Sequence, residues 1–205
     1  ARRGARVTAL DFSPRALRTV RGLANWAGLT VDTVEADVYD AVRAVGGRRF
    51  DIVYTGLGAL NWLPNLDRWA QTVASLLRPG GFLYLYEVHP LALAVAEDGM
   101  SIAVDLIGTG FARSEGDQGS YGAPDATFDE TARFERVHGL GEVLSAVLGA
   151  GLRIESFREF DVTPSPAAFL VRRHDGSYGF ATDARRFPLT YSLKARSAPD
   201  AAPIE

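Results

Sequence analysis

The chain has 205 residues, a net charge of −3, no cysteine, and lysine only at Lys194 among 22 basic residues. This length suits one domain with a sizeable core, the lack of cysteine excludes disulfides and thiolate metal sites, and three scattered histidines give no metal-ligand spacing. The slight acidity argues against a dedicated nucleic-acid surface, and no apolar run approaches membrane-spanning length.

Ala1-Arg2-Arg3-Gly4 reads as the tail of a helix closed by Gly4, so a further segment is expected in front of it. Arg6 to Leu10 reads as a short strand ending at Asp11. Ser13-Pro14 then starts a helix, with Ser as the cap and Pro at the first helical position. Leu17, Val20, Ala24 and Ala27 recur at helical spacing and Gly28 ends the run. Thr30 to Ala36 is a second strand closed by Asp37, and Val38 to Val45 a short helix stopped by Gly46-Gly47. Phe50 to Thr55 is a third strand, followed by Gly56-Leu57-Gly58. Asn65 caps a helix whose apolar stripe is Leu66, Trp69, Ala70, Val73, Leu76 and Leu77.

That helix runs into Arg78-Pro79-Gly80-Gly81. Pro79 cannot continue a helix and biases Arg78 away from helical geometry, while the two glycines permit a reversal. Phe82 to Val88 is then a nearly unbroken apolar and aromatic run, the pattern of a strand covered on both faces. It delivers Glu87 and His89 to the carboxyl edge, where open α/β sheets bind ligands. The strand–helix alternation up to this point implies a parallel sheet with right-handed crossovers.

Residues 91–133, rich in glycine and small polar residues such as Glu115 to Gly122, break the rhythm, as a functional loop or lid does. A helix carrying Leu140, Val143, Leu144, Val147 and Leu148 follows, capped by Gly151, then a strand over Leu152 to Phe160. Phe169 to Phe180 reads as a hairpin around Asp175-Gly176, and Leu189 to Lys194 as a half-exposed strand. The two late strands are expected to form an antiparallel edge, and Ser197 to Glu205 a loose tail. With no internal repeat, residues 1–205 read as a single domain.

This succession resembles a class I S-adenosylmethionine-dependent methyltransferase. The residues that carry the likeness are Asp11 after the first strand, Ala36-Asp37-Val38 after the second, Phe50-Asp51-Ile52-Val53-Tyr54-Thr55-Gly56, and Leu77-Arg78-Pro79-Gly80-Gly81-Phe82-Leu83. The resemblance implies a Rossmann-like, mostly parallel α/β sheet with helices on both faces and an antiparallel C-terminal edge. It implies S-adenosyl-L-methionine as cofactor and a small-molecule methyl acceptor. It places Asp11 by the cofactor's ribose, Asp37 and Val38 by its adenine, and Thr55, Gly56 and Leu57 by its methionine part, and it makes Phe12 a further cofactor-binding residue. A carboxylate suits the ribose, being acceptor-only and able to take two donors. Trp62 is near enough to cover such a pocket, but a single aromatic before a helix is more often core. His89, with an unperturbed pKa near neutrality, is the candidate general base; the competing reading is a structural histidine before Pro90. His138, Tyr121 and Tyr178 are weaker candidates for the acceptor side.

The glycine-rich loop that the family carries ahead of the Asp11 position is absent, and so is a strand between those ending at Asp11 and Thr55. Asp105 to Gly110 resembles a stray copy, but no helix start follows it. The first strand and loop are therefore expected to be missing from this chain. Two other readings stay open: a truncated or non-catalytic methyltransferase-fold protein, and a nicotinamide-dependent oxidoreductase. The latter commonly wants a Tyr-Lys pair, which an isolated Lys194 supplies poorly. A cytoplasmic location is expected, and the bias to arginine over lysine suits a GC-rich bacterial genome.

Overall fold

The computed structural model describes residues 1–107, 112–115, 132–182 and 186–199. The Gly-rich stretch 116–122 with Tyr121, the glycines of 108–110 and the tail from residue 200 lie outside the described residues.

The first strand β1 (Val7–Asp11) leads into helix α1 (Pro14–Trp26), where the Ser13 side chain caps the Ala16 N–H as its sequence position demands. Strand β2 (Val31–Glu35) pairs with β1 in parallel, with Asp11 opposite Glu35. A single turn (Val38–Asp40) and the short helix α2 (Ala41–Ala44) follow, and Gly46 and Gly47 end them at φ of 65° and 71°. Strand β3 (Phe50–Gly56) and helix α3 (Leu66–Leu76) complete this half. Asn65 caps α3 through the Arg68 N–H, and the expected stripe of Leu66, Trp69, Ala70, Val73 and Leu76 is buried.

Strand β4 (Leu77–Val88) begins at once after α3. Arg78-Pro79-Gly80-Gly81 is an excursion within it: Leu77 pairs with Phe50, the register breaks, and pairing resumes at Phe82 with Ile52. Gly80 takes a φ of 73° there, and a Cβ at Gly81 would stand 2.9 Å from the Arg78 carbonyl oxygen and 3.0 Å from that of Asp51. Only glycine fits both positions without displacement. The expectation of burial on both faces is corrected for β4. Leu83, Leu85 and Glu87 are buried, whereas Tyr84 of the alternate face is exposed beside Ile52 and Tyr54 of β3. The strand alternates because the main core gathers on one face only.

Helix α4 (Pro90–Ala94) is brief. Strands β5 (Ala112–Glu115) and β6 (Ala132–Glu135) pair antiparallel. Helix α5 (Leu140–Gly149) and strand β7 (Arg153–Phe160) follow, and then the two-residue strands β8 (Val162–Thr163), β9 (Val171–Arg172) and β10 (Tyr178–Gly179). β9 and β10 form the hairpin expected around Asp175-Gly176, and β8 pairs with β10. The last strand β11 (Thr190–Arg196) lies antiparallel between β4 and β7, giving the order β3-β4-β11-β7. The antiparallel side of the sheet is as expected, but β11 is buried along most of its length instead of half-exposed, because both its edges are paired.

The core is built where α3 and α5 pack on this sheet. Trp69, Ala70 and Val73 meet Val143, Ala146 and Val147 over Leu83, Leu85, Tyr191, Leu193 and Ala195. β1 and β2 form a separate two-stranded sheet. No ladder among the described strands joins β1 to β3, and the gap between them is a cleft. No described helix is long and apolar enough to cross a membrane.

Candidate cofactor site

The cleft between β1 and β3 has a volume of about 650 Å³. Its upper rim is formed by the carboxyl ends of three strands. Asp11 and Phe12 come from the end of β1, Asp37 and Val38 follow β2, and Thr55 and Gly56 close β3. These six expected cofactor residues line one cavity whose size suits a nucleoside-sized ligand. Leu57, the seventh, does not line it; it stands on the adjoining loop with φ at 46° and a half-exposed side chain.

Each rim carboxylate has a structural duty and spare capacity. Asp11 Oδ1 accepts the Ser13 N–H at 2.7 Å, which fixes the turn into α1. Asp37 Oδ1 accepts the Tyr39 N–H at 2.8 Å and caps the turn at Val38. The second oxygen of each has no hydrogen-bond partner among the described residues and is open to a ligand hydroxyl or amine. Gly56 permits close backbone approach: a Cβ there would run into the Tyr54 hydroxyl and stand 3.0 Å from the Tyr86 carbonyl oxygen. Phe12 is largely exposed beside Asp11, an apolar surface at the mouth. Trp62 also lines the cleft and is half-exposed, so it is not the core residue that a single aromatic ahead of a helix more often is.

Tyr39 belongs to the site without having been signalled by sequence. Its hydroxyl donates to the Asn65 carbonyl at 3.2 Å and accepts the Asn65 N–H at 2.9 Å, tying the Asp37 turn to the start of α3. Burial raises the Tyr39 pKa, so the hydroxyl keeps its proton for this bridge.

The floor of the cleft is apolar. Thr8 and Leu10 face Phe50, Ile52 and Val53 across a trench floored by Trp69, Val73 and Leu76 of α3. Trp69 is fully buried, and its indole N–H has no acceptor among the described residues. The edges of β1 and β3 bordering this trench carry no ladder among the described strands.

At the end of β4 the two polar residues part ways. Glu87 is buried and turned to the loop after β3: its carboxylate accepts the N–H groups of Gly58 at 2.5 Å, Ala59 at 2.8 Å and Leu60 at 3.3 Å. His89 is turned away, towards β7. Its Nδ1 accepts the Leu91 N–H at 3.1 Å and so caps α4; the proton therefore resides on Nε2, which donates to Glu159 Oε1 at 2.9 Å. Burial lowers the His89 pKa, and the Glu159 contact offsets this only in part. With both ring nitrogens engaged, a general-base role requires Nδ1 first to give up the helix cap. His138 is buried at a second, small pocket that Glu87 and Tyr191 also line, and one of its ring nitrogens meets the Leu63 carbonyl at 2.9 Å. His174 is exposed, and Tyr178 lies in the small sheet opposite Thr163.

Residues 1–83 match the family model described as Methyltransferase domain. A ubiquinone biosynthesis O-methyltransferase of Xanthomonas axonopodis pv. citri is 34% identical over 112 residues, 54% of this chain and 46% of that protein. Another with the same name, from a Methylobacterium species, is 33% identical over 89 residues, 43% of this chain and 34% of that protein. The chain thus spans less than half the length of the curated relatives it matches. Among solved structures, an S-adenosylmethionine-dependent methyltransferase of Mesorhizobium loti superposes with a TM-score of 0.58 at 22% identity, covering 93% of this chain and 80% of that one. The matched region holds β1 to β3, the Arg78 to Gly81 excursion and the whole cleft rim; residues 1–83 are thus similar to the methyltransferase-domain family, and the fold of the chain is similar to that of an S-adenosylmethionine-dependent methyltransferase.

Proposed function

We propose that this chain is the cofactor-binding part of an enzyme that transfers a methyl group from S-adenosyl-L-methionine to a small-molecule acceptor. The observation that carries the reading is the convergence of Asp11, Phe12, Asp37, Val38, Thr55 and Gly56, from three separate strand ends, on one cleft of about 650 Å³. Asp11 and Phe12 receive the ribose, Asp37 and Val38 the adenine, and Thr55, Gly56 and Leu57 lie beside the methionine part. The spare oxygens of Asp11 and Asp37 supply acceptors, and the glycine at Gly56 lets the ligand approach the backbone. S-Adenosylmethionine brings a methyl group already activated on sulfur; the residues here orient the ligand and shield it from water.

The trench below the rim belongs to the same reading. A further strand of the kind the family carries would fill it in parallel between β1 and β3, completing both ladders and offering the Trp69 N–H an acceptor. The open edges bordering the trench and the unpartnered indole support this. The non-catalytic alternative draws on the same gap, since a cleft without its central strand holds a ligand weakly. Residues 1–205 act as one domain, with 91–133 as the variable segment over the acceptor. His89 serves as general base on condition that Nδ1 is released from Leu91; otherwise it holds α4 in place. The names of the curated relatives favour oxygen as the accepting atom, and their bacterial sources support a bacterial enzyme. The net charge of −3 supports a partner that is neither nucleic acid nor membrane.

Calorimetric titration of the full-length protein with S-adenosylhomocysteine and, separately, with NADH tests the reading. Stoichiometric binding of the first and none of the second is expected. The opposite preference would replace it with the oxidoreductase reading.

A further inference from the structure

Glu87 is a buried carboxylate without an ion-pair partner among the described residues. A bare charge in such a place is costly unless donors converge on it. Here they do, and all are backbone. Oε2 accepts from Gly58 at 2.5 Å and from Val88 at 3.3 Å, while Oε1 accepts from Ala59 at 2.8 Å and from Leu60 at 3.3 Å. One residue earlier, the Leu57 N–H donates to the Tyr86 carbonyl at 2.7 Å. The loop leaving β3 is therefore held at four consecutive amides by the end of β4. It contains two residues at positive φ, Leu57 at 46° and Gly58 at 80°, and Leu57 has no glycine-like tolerance for that conformation. The carboxylate supplies the interaction that keeps the strained turn in shape.

We propose that Glu87 is a positioning residue for the cofactor: its carboxylate occupies the nest of amides after β3 and thereby sets the cleft wall formed by Thr55 and Gly56, which the loop beginning at Leu57 continues. This rests on the cofactor reading above and adds to it a residue outside the cleft lining. Two consequences follow from the geometry. The nest is filled by the protein's own anion, so the Gly58, Ala59 and Leu60 amides are not available to a ligand carboxylate. And glutamine is not a substitute, since its amide nitrogen would point a donor at one pair of backbone donors. Adenosine contacts the rim at Asp11 and Asp37 and is indifferent to this wall, whereas S-adenosylhomocysteine, with its amino-acid arm, depends on it.

The test measures both ligands on the full-length protein. Glu87→Gln is expected to weaken S-adenosylhomocysteine about tenfold or more, as loss of charge-assisted hydrogen bonds does, and to leave adenosine within about twofold. Ala59→Pro probes the contact from the loop side. It deletes one donor at a backbone φ of −80°, near the proline range, and it carries the test should Glu87→Gln not yield folded protein. The same selective loss is expected. Equal affinity for S-adenosylhomocysteine in variant and wild type, or equal loss of both ligands, would overturn the positioning role. Failure of the wild type to bind S-adenosylhomocysteine would instead overturn the cofactor reading and this role with it.

Discussion

The Glu87 carboxylate reaches from the end of β4 to the Ala59 N–H, 2.8 Å away and 28 residues earlier in the chain. Parallel neighbours β3 and β4 are thus joined beyond their ladder by a side chain that reads the backbone of the intervening loop. Removing that side chain takes away the acceptor of the part-buried Gly58 and Ala59 amides and of the buried Leu60 amide. Glu87→Ala is expected to lower unfolding free energy by about 3 kcal/mol, measured by urea denaturation of the full-length protein. A change below about 0.5 kcal/mol, the size of an ordinary surface substitution, would contradict the assigned burial.

His89 makes stability depend on pH with a definite sign. Its folded pKa lies below the ordinary value of 6.5 because burial disfavours the imidazolium. The unfolded chain then binds the proton more readily, so the contribution is complete above about pH 6.5 and is lost as pH falls through the folded value. Wild type is expected to lose stability on acidification through this window more steeply than His89→Asn. Asparagine keeps an acceptor for the Leu91 N–H but does not titrate. Parallel pH profiles for the two proteins would contradict the assignment.

Gly81→Ala tests the excursion between α3 and β4. The added Cβ would meet carbonyl oxygens of Arg78, Asp51 and Phe50 at 2.9 to 3.1 Å, all backbone and unable to swing aside. Destabilisation of about 2 kcal/mol is expected by thermal or chemical unfolding. An unchanged midpoint would show that β3 and β4 can part at this point without cost.

Most of the fold was legible because local chemistry and tertiary packing agree. Ser13-Pro14 starts α1, Asn65 caps α3, and the stripe from Leu66 to Leu76 is the buried face. Asp11, Asp37 and Thr55 were legible as strand-end residues, and the structure gathers them on one cleft. What depends on partners distant in sequence was not legible. The Lys194 alternation suggests a half-exposed strand, yet β11 is buried because β4 and β7 take both its edges. The apolar run from Phe82 suggests burial on both faces, yet Tyr84 is exposed. Glu87 and His89 look equivalent at one strand end, but pleat and turn send one to the β3 loop and the other to Glu159. Tyr39 carried no signal at all, since its partner Asn65 is 26 residues away.

Asp11 and Asp37 are two carboxylates on the rim of one cleft, and their proposed role is to hold the cofactor. Titration of S-adenosylhomocysteine into full-length wild type, Asp11→Asn and Asp37→Asn measures this most directly. Asparagine keeps an acceptor for the Ser13 or Tyr39 N–H, so the local turns survive while the acceptor facing the ligand is compromised. Stoichiometric binding by wild type and a loss of about tenfold or more in each variant are expected, with unfolding midpoints little changed. Binding that is indifferent to both substitutions would contradict that role.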